Sequence, residues 1–278
     1  MDHQRRQRLK PLLDKLPPGF LADTRWLKAQ GIDAKSIHDY VARGWLERLI
    51  RGVYRRPLPA GVPSQPGVPW ESVVLSLQWI MAHDVHIGGT TALNLAGHAH
   101  YLPLGGMARI HLYGEVPSWL KRLPTDAQFI VHRRTLFSTD QIGIIDSAGD
   151  ASGTAVNIAR WPLRVASPER AVLEALDELD TEADFSALDQ VFQSLTTLRP
   201  NQLMHLLVAC RSIKVRRLFF VFADRHQHAW RKHLDAQTID LGSGPRALVK
   251  GGKLHPGYRI YVPAAFLPAR DKEAGTDA

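Results

Sequence analysis

The sequence of 278 residues contains one cysteine, Cys210. A single thiol excludes an intrachain disulfide and any metal site built from several cysteines. Apolar residues nowhere run together for the roughly 18 positions that a membrane-spanning helix needs. The first ten residues are rich in arginine and lack the short apolar core of a secretory signal. These absences predict a cytoplasmic protein with no membrane partner.

Positive charge is concentrated at the N-terminal end of the chain. The formal net charge is +8, and residues 1–56 hold 13 Lys/Arg against 6 Asp/Glu, a balance of +7. The other 222 residues are close to neutral, at +1. A local basic patch attracts a polyanion because binding releases counterions from the phosphates. The pattern indicates a nucleic-acid surface, with an ordinary solvated basic surface as the alternative.

Three helices are predicted in this basic segment. Leucines recur at helical spacing from Leu9 to Leu16, and a second apolar-periodic stretch covers Phe20 to Gln30 after a Pro-Pro-Gly break. Asp33 stands at the N-cap position of a third helix that runs to about Arg43 and ends before Gly44.

A basic hairpin follows the third helix. Residues 46–49 and 53–56 have the pattern of two short strands, and a tight turn containing Gly52 joins them. Three helices followed by such a hairpin predict a winged helix-turn-helix, whose third helix enters the major groove of DNA. The alternatives are a small basic helical domain and a winged helix that contacts protein.

This interpretation divides the exposed polar residues into two groups. The outer face of the third helix and its edge are predicted to read base edges through Lys35, Ser36, His38 and Asp39. The end of that helix and the hairpin are predicted to bind phosphates through Arg43, Arg48, Arg51, Arg55 and Arg56.

The rest of the chain has mixed secondary-structure signals, so the predicted fold class is α+β. Five prolines between positions 57 and 69 indicate a linker, which separates a DNA-binding domain at 1–56 from a larger mixed domain at 70–267. Residues 268–278 are predicted to form a flexible tail. Strand-like runs occupy 108–113 and 128–132, and Ser167-Pro168-Glu169 begins a helix that runs through Leu179.

Charge changes sign along the larger domain. Residues 169–189 hold eight carboxylates and one basic residue, whereas residues 199–259 hold twelve basic and three acidic residues. The second stretch predicts either another basic surface or a set of ion pairs with the acidic helix.

No set of catalytic, metal-binding or cofactor-binding residues stands out. Gly242-Ser243-Gly244 could open a nucleotidyltransferase site, but no carboxylate follows before position 269. The histidines near His86 have no specific ligand spacing, and Cys210 lies in an apolar helical run where an inert core thiol is common. The aromatic run at 218–222 suits a buried core better than a base-stacking platform. We therefore predict a protein without catalytic activity, metal or cofactor.

Several segments resemble one known family. Residues 44–54, GWLERLIRGVY, resemble the wing of the AbiEi antitoxins, the repressor half of type IV toxin-antitoxin systems. Runs similar to that family's C-terminal domain follow in the same order, and they are residues 91–97, 167–174, 241–246 and 258–263. The resemblance covers about residues 5–263.

The resemblance implies a transcriptional autorepressor that binds inverted repeats in its own promoter through the winged helix. It also implies that the C-terminal domain counteracts a co-expressed nucleotidyltransferase toxin without forming a stable complex with it. Two other functions stay open from the residues alone. One is a ligand-sensing regulator with no toxin partner, and the other is an enzyme that processes nucleic acid.

Overall fold

The computed structural model describes residues 2–61, 67–98, 107–148, 161–245 and 252–268. The helices are α1 (Asp2–Lys15), α2 (Thr24–Ala29), α3 (Ala34–Ala42), α4 (Trp70–Leu75), α5 (Gly89–Leu95), α6 (Pro168–Asp177), α7 (Glu182–Ser194), α8 (Pro200–Ala209) and α9 (Ile213–His226). The strands are β1 (Leu21–Asp23), β2 (Glu47–Ile50), β3 (Val53–Arg55), β4 (Val85–Ile87), β5 (Ala108–Gly114), β6 (Ala127–His132), β7 (Ile144–Ala148), β8 (Pro162–Ala166), β9 (Lys253–Leu254) and β10 (Tyr261–Val262).

These elements belong to two compact units. The first unit contains Met1–Ile87, Pro103–Arg133 and Ile144–Val165, and the second contains Gly88–Leu102, Arg134–Gly143 and Ala166–Ala278. The division predicted from sequence, with a linker at 57–69, stays a prediction about which parts fold independently. The predicted tail lies outside the described residues except for Pro268.

The first unit begins with the winged helix. Its element order is α1-β1-α2-α3-β2-β3, and its small sheet has the strand order β1-β3-β2. Buried apolar side chains come from the helices, from β3 and from the segments next to these elements, and they include Leu12, Leu16, Leu27, Ile37, Tyr40, Leu46 and Val53. The three predicted helices and the hairpin are therefore present.

The prediction of a helix over residues 20–30 is wrong at its beginning. Leu21–Asp23 form β1, which pairs antiparallel with β3. Asp23 then begins α2, because its side chain accepts a hydrogen bond from the Trp26 amide at 2.8 Å. The apolar run that resembled a helix is buried as a strand instead, since it completes the sheet of the wing.

A five-stranded mixed sheet forms the rest of the first unit, in the order β6-β5-β4-β8-β7. Strands β5 and β6 are parallel, β4 and β5 are antiparallel, and β4 and β8 are parallel. The strands predicted at 108–113 and 128–132 are confirmed to within one residue. A π-helical segment, Ser76–Ile80, continues α4.

Three contacts join the winged helix to this sheet region within the first unit. The buried amide of Leu21 donates to Ser76 Oγ at 2.8 Å. The indole of Trp119 donates to Asp23 Oδ2 at 3.3 Å, and the rings of Phe20 and Trp161 lie 5.4 Å apart. The winged helix is thus packed onto its neighbours in this unit.

The second unit is mainly helical, and α6 packs against α5, α8 and α9. A buried ion pair lies inside α6, where Arg170 Nε is 2.7 Å from Glu174 Oε1. Arg170 also donates to the carbonyls of Asp140 and Ile142, each at 2.7 Å, and Glu174 accepts from the Gly89 amide at 3.1 Å. One buried pair therefore ties α5 and the 140–142 segment to α6.

The helix predicted from Ser167-Pro168-Glu169 is confirmed as α6, which ends at Asp177 and not at Leu179. Ser167 occupies the N-cap position, but its hydroxyl makes no capping bond and instead accepts from Gln202 Nε2 at 3.1 Å. Among the described residues, no helix is both long enough and apolar enough to cross a bilayer.

Candidate nucleic-acid interface

Local signals in the sequence account for the boundaries and faces of α3. Asp33 caps the helix by accepting from the Ser36 amide at 2.7 Å, and Gly44 ends it with a φ of +72°. Ile37 and Tyr40 turn one face into the core, where they are 4 % and 1 % exposed. The opposite face carries Lys35, His38 and Ala42, which are exposed.

The residues predicted to read bases have different exposures. Lys35 and His38 are exposed, and Asp39 is half-buried. Ser36 is only 5 % exposed. Its place at the edge of the helix brings it to the packed side, which does not favour base reading by Ser36, and that role stays a prediction.

The wing is a short hairpin whose turn is attached to α2. Ile50 pairs with Val53, and Arg51-Gly52 form the turn between them. Gly52 has a φ of +84°, a conformation that favours glycine. The Thr24 amide and hydroxyl both bond to the Gly52 carbonyl, at 2.9 and 3.2 Å.

Exposed cations lie near these elements. The predicted phosphate-binding residues Arg43, Arg48 and Arg51 are all exposed. Arg25 and Lys28 on α2 are exposed as well, although they are not among the phosphate-binding residues predicted from the sequence. Their i,i+3 spacing on the helix before α3 is the sequence signal that could have identified them.

Two other predicted phosphate-binding arginines have partners within the fold. Arg55 donates to Glu47 Oε2 across the hairpin, through Nη2 at 2.7 Å and Nε at 3.0 Å. Arg56 donates to the carbonyls of Leu13 and Leu16, at 2.5 and 3.0 Å, and so satisfies the C-terminal end of α1. Part of the Arg56 guanidinium, its Nη1, therefore serves the fold, and phosphate binding by this residue stays a prediction.

The basic stretch at 199–259 differs, because most of its described cations bind groups of the second unit. Arg199 pairs with Glu169 at 3.0 Å, Arg225 with Asp189 at 3.1 Å and Arg231 with Asp224 at 2.6 Å. Lys214 and Arg216 bond to backbone carbonyls. Ion pairs with the acidic segment, one of the two alternatives from the sequence, thus account for part of this stretch.

Arg217 is the most deeply buried of the described cations in that stretch, at 1 % exposure. Its guanidinium donates to four carbonyls, those of Leu241, Gly242, Gly244 and Arg259, at distances of 2.7, 3.0, 2.7 and 2.9 Å. The Gly-Ser-Gly segment is therefore a loop held by an arginine.

The other residues considered for a functional role, Cys210, the aromatic run at 218–222 and His86, are all buried. Desolvation raises the pKa of the Cys210 thiol to about 11, which agrees with an inert core thiol. Phe219, Phe220 and Phe222 are fully buried, so the aromatic run is core and not a stacking platform. His86, one of the histidines considered as possible metal ligands, is also fully buried.

Imidazoles that could contribute to a metal site occur elsewhere in the first unit. His111 Nδ1 and His132 Nε2 lie 3.0 Å apart on the neighbouring strands β5 and β6. That separation suits a hydrogen bond between a protonated and an unprotonated nitrogen, and the two rings could also supply two ligands to one transition-metal ion.

The element order and the exposed cations near α3 and the wing are typical of one class, the transcriptional regulators with a winged helix-turn-helix. Family models agree and match almost the whole chain. Residues 5–104 match the model described as "Transcriptional regulator, AbiEi antitoxin N-terminal domain", and residues 108–263 match "Transcriptional regulator, AbiEi antitoxin, Type IV TA system". The chain belongs to the AbiEi antitoxin family of transcriptional regulators from type IV toxin-antitoxin systems.

A solved structure supports the same fold. The crystal structure of the Rv2827c protein from Mycobacterium tuberculosis is similar with a TM-score of 0.50 and 15% sequence identity. The match covers 87% of this chain and 85% of that chain. None of the curated proteins compared matches this chain.

Proposed function

We propose that this protein represses its own operon by binding inverted repeats in its promoter through α3 and the wing. The observation that carries the proposal is the set of exposed cations on these two elements, Lys35, Arg43, Arg48 and Arg51. A helix in the major groove with a basic hairpin on the neighbouring backbone is how winged helices bind duplex DNA. In this proposal Lys35, His38 and Asp39 read bases, and the arginines hold phosphates, with Arg55 held in place by Glu47.

The DNA-binding part is tested with the duplex that lies upstream of the protein's own gene. Binding measured at several salt concentrations should weaken in Arg51→Ala, and the salt slope should fall by about 1, because one phosphate contact is lost. His38→Ala should change the preference among operator variants instead. Arg211→Ala is the control, since Arg211 is an exposed arginine of the second unit. Equal binding by wild type, Arg51→Ala and His38→Ala would contradict the proposal.

We also propose that residues 70–267 counteract a co-expressed nucleotidyltransferase toxin without a stable complex. Membership of a type IV antitoxin family supports this part. The proposal assigns no catalytic step to this chain.

Co-expression of the neighbouring gene and this protein tests the antitoxin part. The double variant Arg48→Ala, Arg51→Ala should lose repression and still restore growth when it is expressed from an unrelated promoter. Failure of the wild-type protein to restore growth would contradict the antitoxin role. Co-purification of the two proteins at equal amounts would contradict only the absence of a stable complex.

A further inference from the structure

The turn that follows α3 holds an aromatic side chain in a defined place. Gly44 donates to the Val41 carbonyl at 3.0 Å, and the Trp45 amide donates to the Tyr40 carbonyl at 2.9 Å. The rings of Tyr40 and Trp45 then lie 5.5 Å apart at an angle of 54°. Because Tyr40 is itself buried, the indole of Trp45 rests on a rigid support.

The guanidinium of Arg43 lies over this indole. Its central carbon is 5.3 Å from the centroid of the Trp45 ring, within the range of a cation–π interaction. Arg43 is exposed and Trp45 is half-buried, so the stacked pair is at the surface between α3 and the wing. The indole therefore contacts both the buried ring of Tyr40 and the exposed cation of Arg43.

We propose that Trp45 is a positioning residue that holds the Arg43 guanidinium for a phosphate of the DNA duplex. An exposed arginine normally samples many rotamers, and binding a phosphate then costs the entropy of fixing one of them. Stacking on a fixed ring limits those rotamers before DNA arrives. A planar guanidinium can stack by its face and still donate from its edge to a phosphate. The inference rests on the proposed DNA-binding function.

A double-mutant cycle separates this role from a general structural role. The dissociation constant for the upstream duplex is measured for wild type, Trp45→Leu, Arg43→Ala and the double variant. Trp45→Leu should weaken binding about two- to fivefold, the range expected for a cation–π contact at an exposed site. Arg43→Ala should weaken binding and lower the salt slope by about 1. The double variant should bind no more weakly than Arg43→Ala alone.

Replacing Trp45 by other aromatic residues gives a second readout, because a purely structural role of Trp45 would not depend on a ring that faces Arg43. Trp45→Tyr and Trp45→Phe keep a ring face for Arg43, so both should bind more tightly than Trp45→Leu. These two variants also carry the test if Trp45→Leu does not fold, which thermal unfolding of each variant checks. A matched cycle of Trp45→Leu with Arg51→Ala should be additive, because Arg51 lies at the hairpin turn.

The outcomes separate this inference from the proposed function. If Trp45→Leu weakened DNA binding equally in the wild-type and the Arg43→Ala backgrounds, the positioning role would be overturned, since Trp45 would then act on its own. Unchanged binding by Trp45→Leu and the ring variants, beside weakened binding by Arg43→Ala, would overturn it as well and leave DNA binding in place. A wild-type protein that does not bind the duplex would overturn the proposed function and this inference together.

Discussion

Residues 1–56 and residues 199–259 both contain a large excess of basic side chains, yet these side chains meet different partners. On α3 and the wing, Lys35, Arg43, Arg48 and Arg51 are exposed. In the later stretch, Arg199, Arg225 and Arg231 pair with carboxylates, and Arg217 is enclosed by carbonyls. Basic residues are therefore mainly exposed on α3 and the wing, whereas most of the described ones in the later stretch are bound within the fold.

The comparison teaches that a run of basic residues does not by itself define a basic surface. The acidic residues that neutralise the later stretch come partly from distant segments, as with Glu169 and Asp189. Near the wing, Glu47 neutralises Arg55, while Arg48 and Arg51 on the same hairpin are exposed. A count of charge along the chain does not contain this information.

The largest effect on stability should come from Arg217→Met. Four carbonyls would lose the same buried, charged donor, and a hydrogen bond to a charged group is worth about 1.5–3 kcal/mol. The free energy of unfolding in urea should therefore fall by more than about 3 kcal/mol. The exposed neighbour Arg211→Met is the control and should change it by less than about 0.5 kcal/mol. Similar small changes in both variants would show that Arg217 does not hold this loop, and the comparison of the two regions would fail.

The reactivity of Cys210 sharpens the account of the second region. Burial raises the pKa of this thiol from 9.0 to about 11, although the nearby Arg216 charge acts to lower it. At neutral pH the thiolate fraction should be about 100-fold lower than for a thiol with the ordinary pKa. A thiol reagent should therefore react slowly with the folded protein at pH 8 and rapidly after unfolding. Rapid reaction of the folded protein would show that the arginine charge outweighs burial.

The same shift predicts a dependence of stability on pH. The thiol pKa is higher in the folded state than in the unfolded state, so this contribution to stability is complete below about pH 9. It is lost as the pH rises through about 11. Cys210→Ala should be less sensitive to pH over this interval in unfolding experiments, and equal sensitivity would contradict the shift.

The smallest effect is expected at the surface pair of Arg225 and Asp189. Their side chains are 39% and 21% exposed, so solvent screens the interaction. A double-mutant cycle should give a coupling energy of about 0.2–1 kcal/mol. His226 also contacts Asp189, at 2.7 Å, and is kept unchanged in all variants. A coupling far above this range would mean that the pair belongs to a buried network.

Local signals explain how much of the winged helix could be predicted. Asp33, the spacing of Ile37 and Tyr40, and Gly44 are all within or next to α3, so its bounds follow from neighbouring residues. The hairpin has an equally local signal in its turn at Gly52. The same holds for α6, where a serine, a proline and a glutamate stand at its first positions.

The missed features depend on residues far apart in the sequence. Strand β1 is three residues long, and its partner β3 begins thirty residues later. The carbonyls that bind Arg56 Nη1 lie at the end of α1 and just after it, about forty positions earlier. Ser36 lies at the edge of a helical face, where only the packing around it decides exposure. These are tertiary effects that no local pattern encodes.

A comparison of two charge-matched variants tests the central claim most directly. One variant carries Arg48→Gln and Arg51→Gln in the wing, and the other carries Arg211→Gln and Lys232→Gln, both exposed residues of the second unit. Each variant loses two positive charges, so any general effect of net charge is the same. The account predicts that the wing variant binds the upstream duplex about tenfold more weakly than wild type, while the other variant binds within about twofold. Equal losses in the two variants would contradict it.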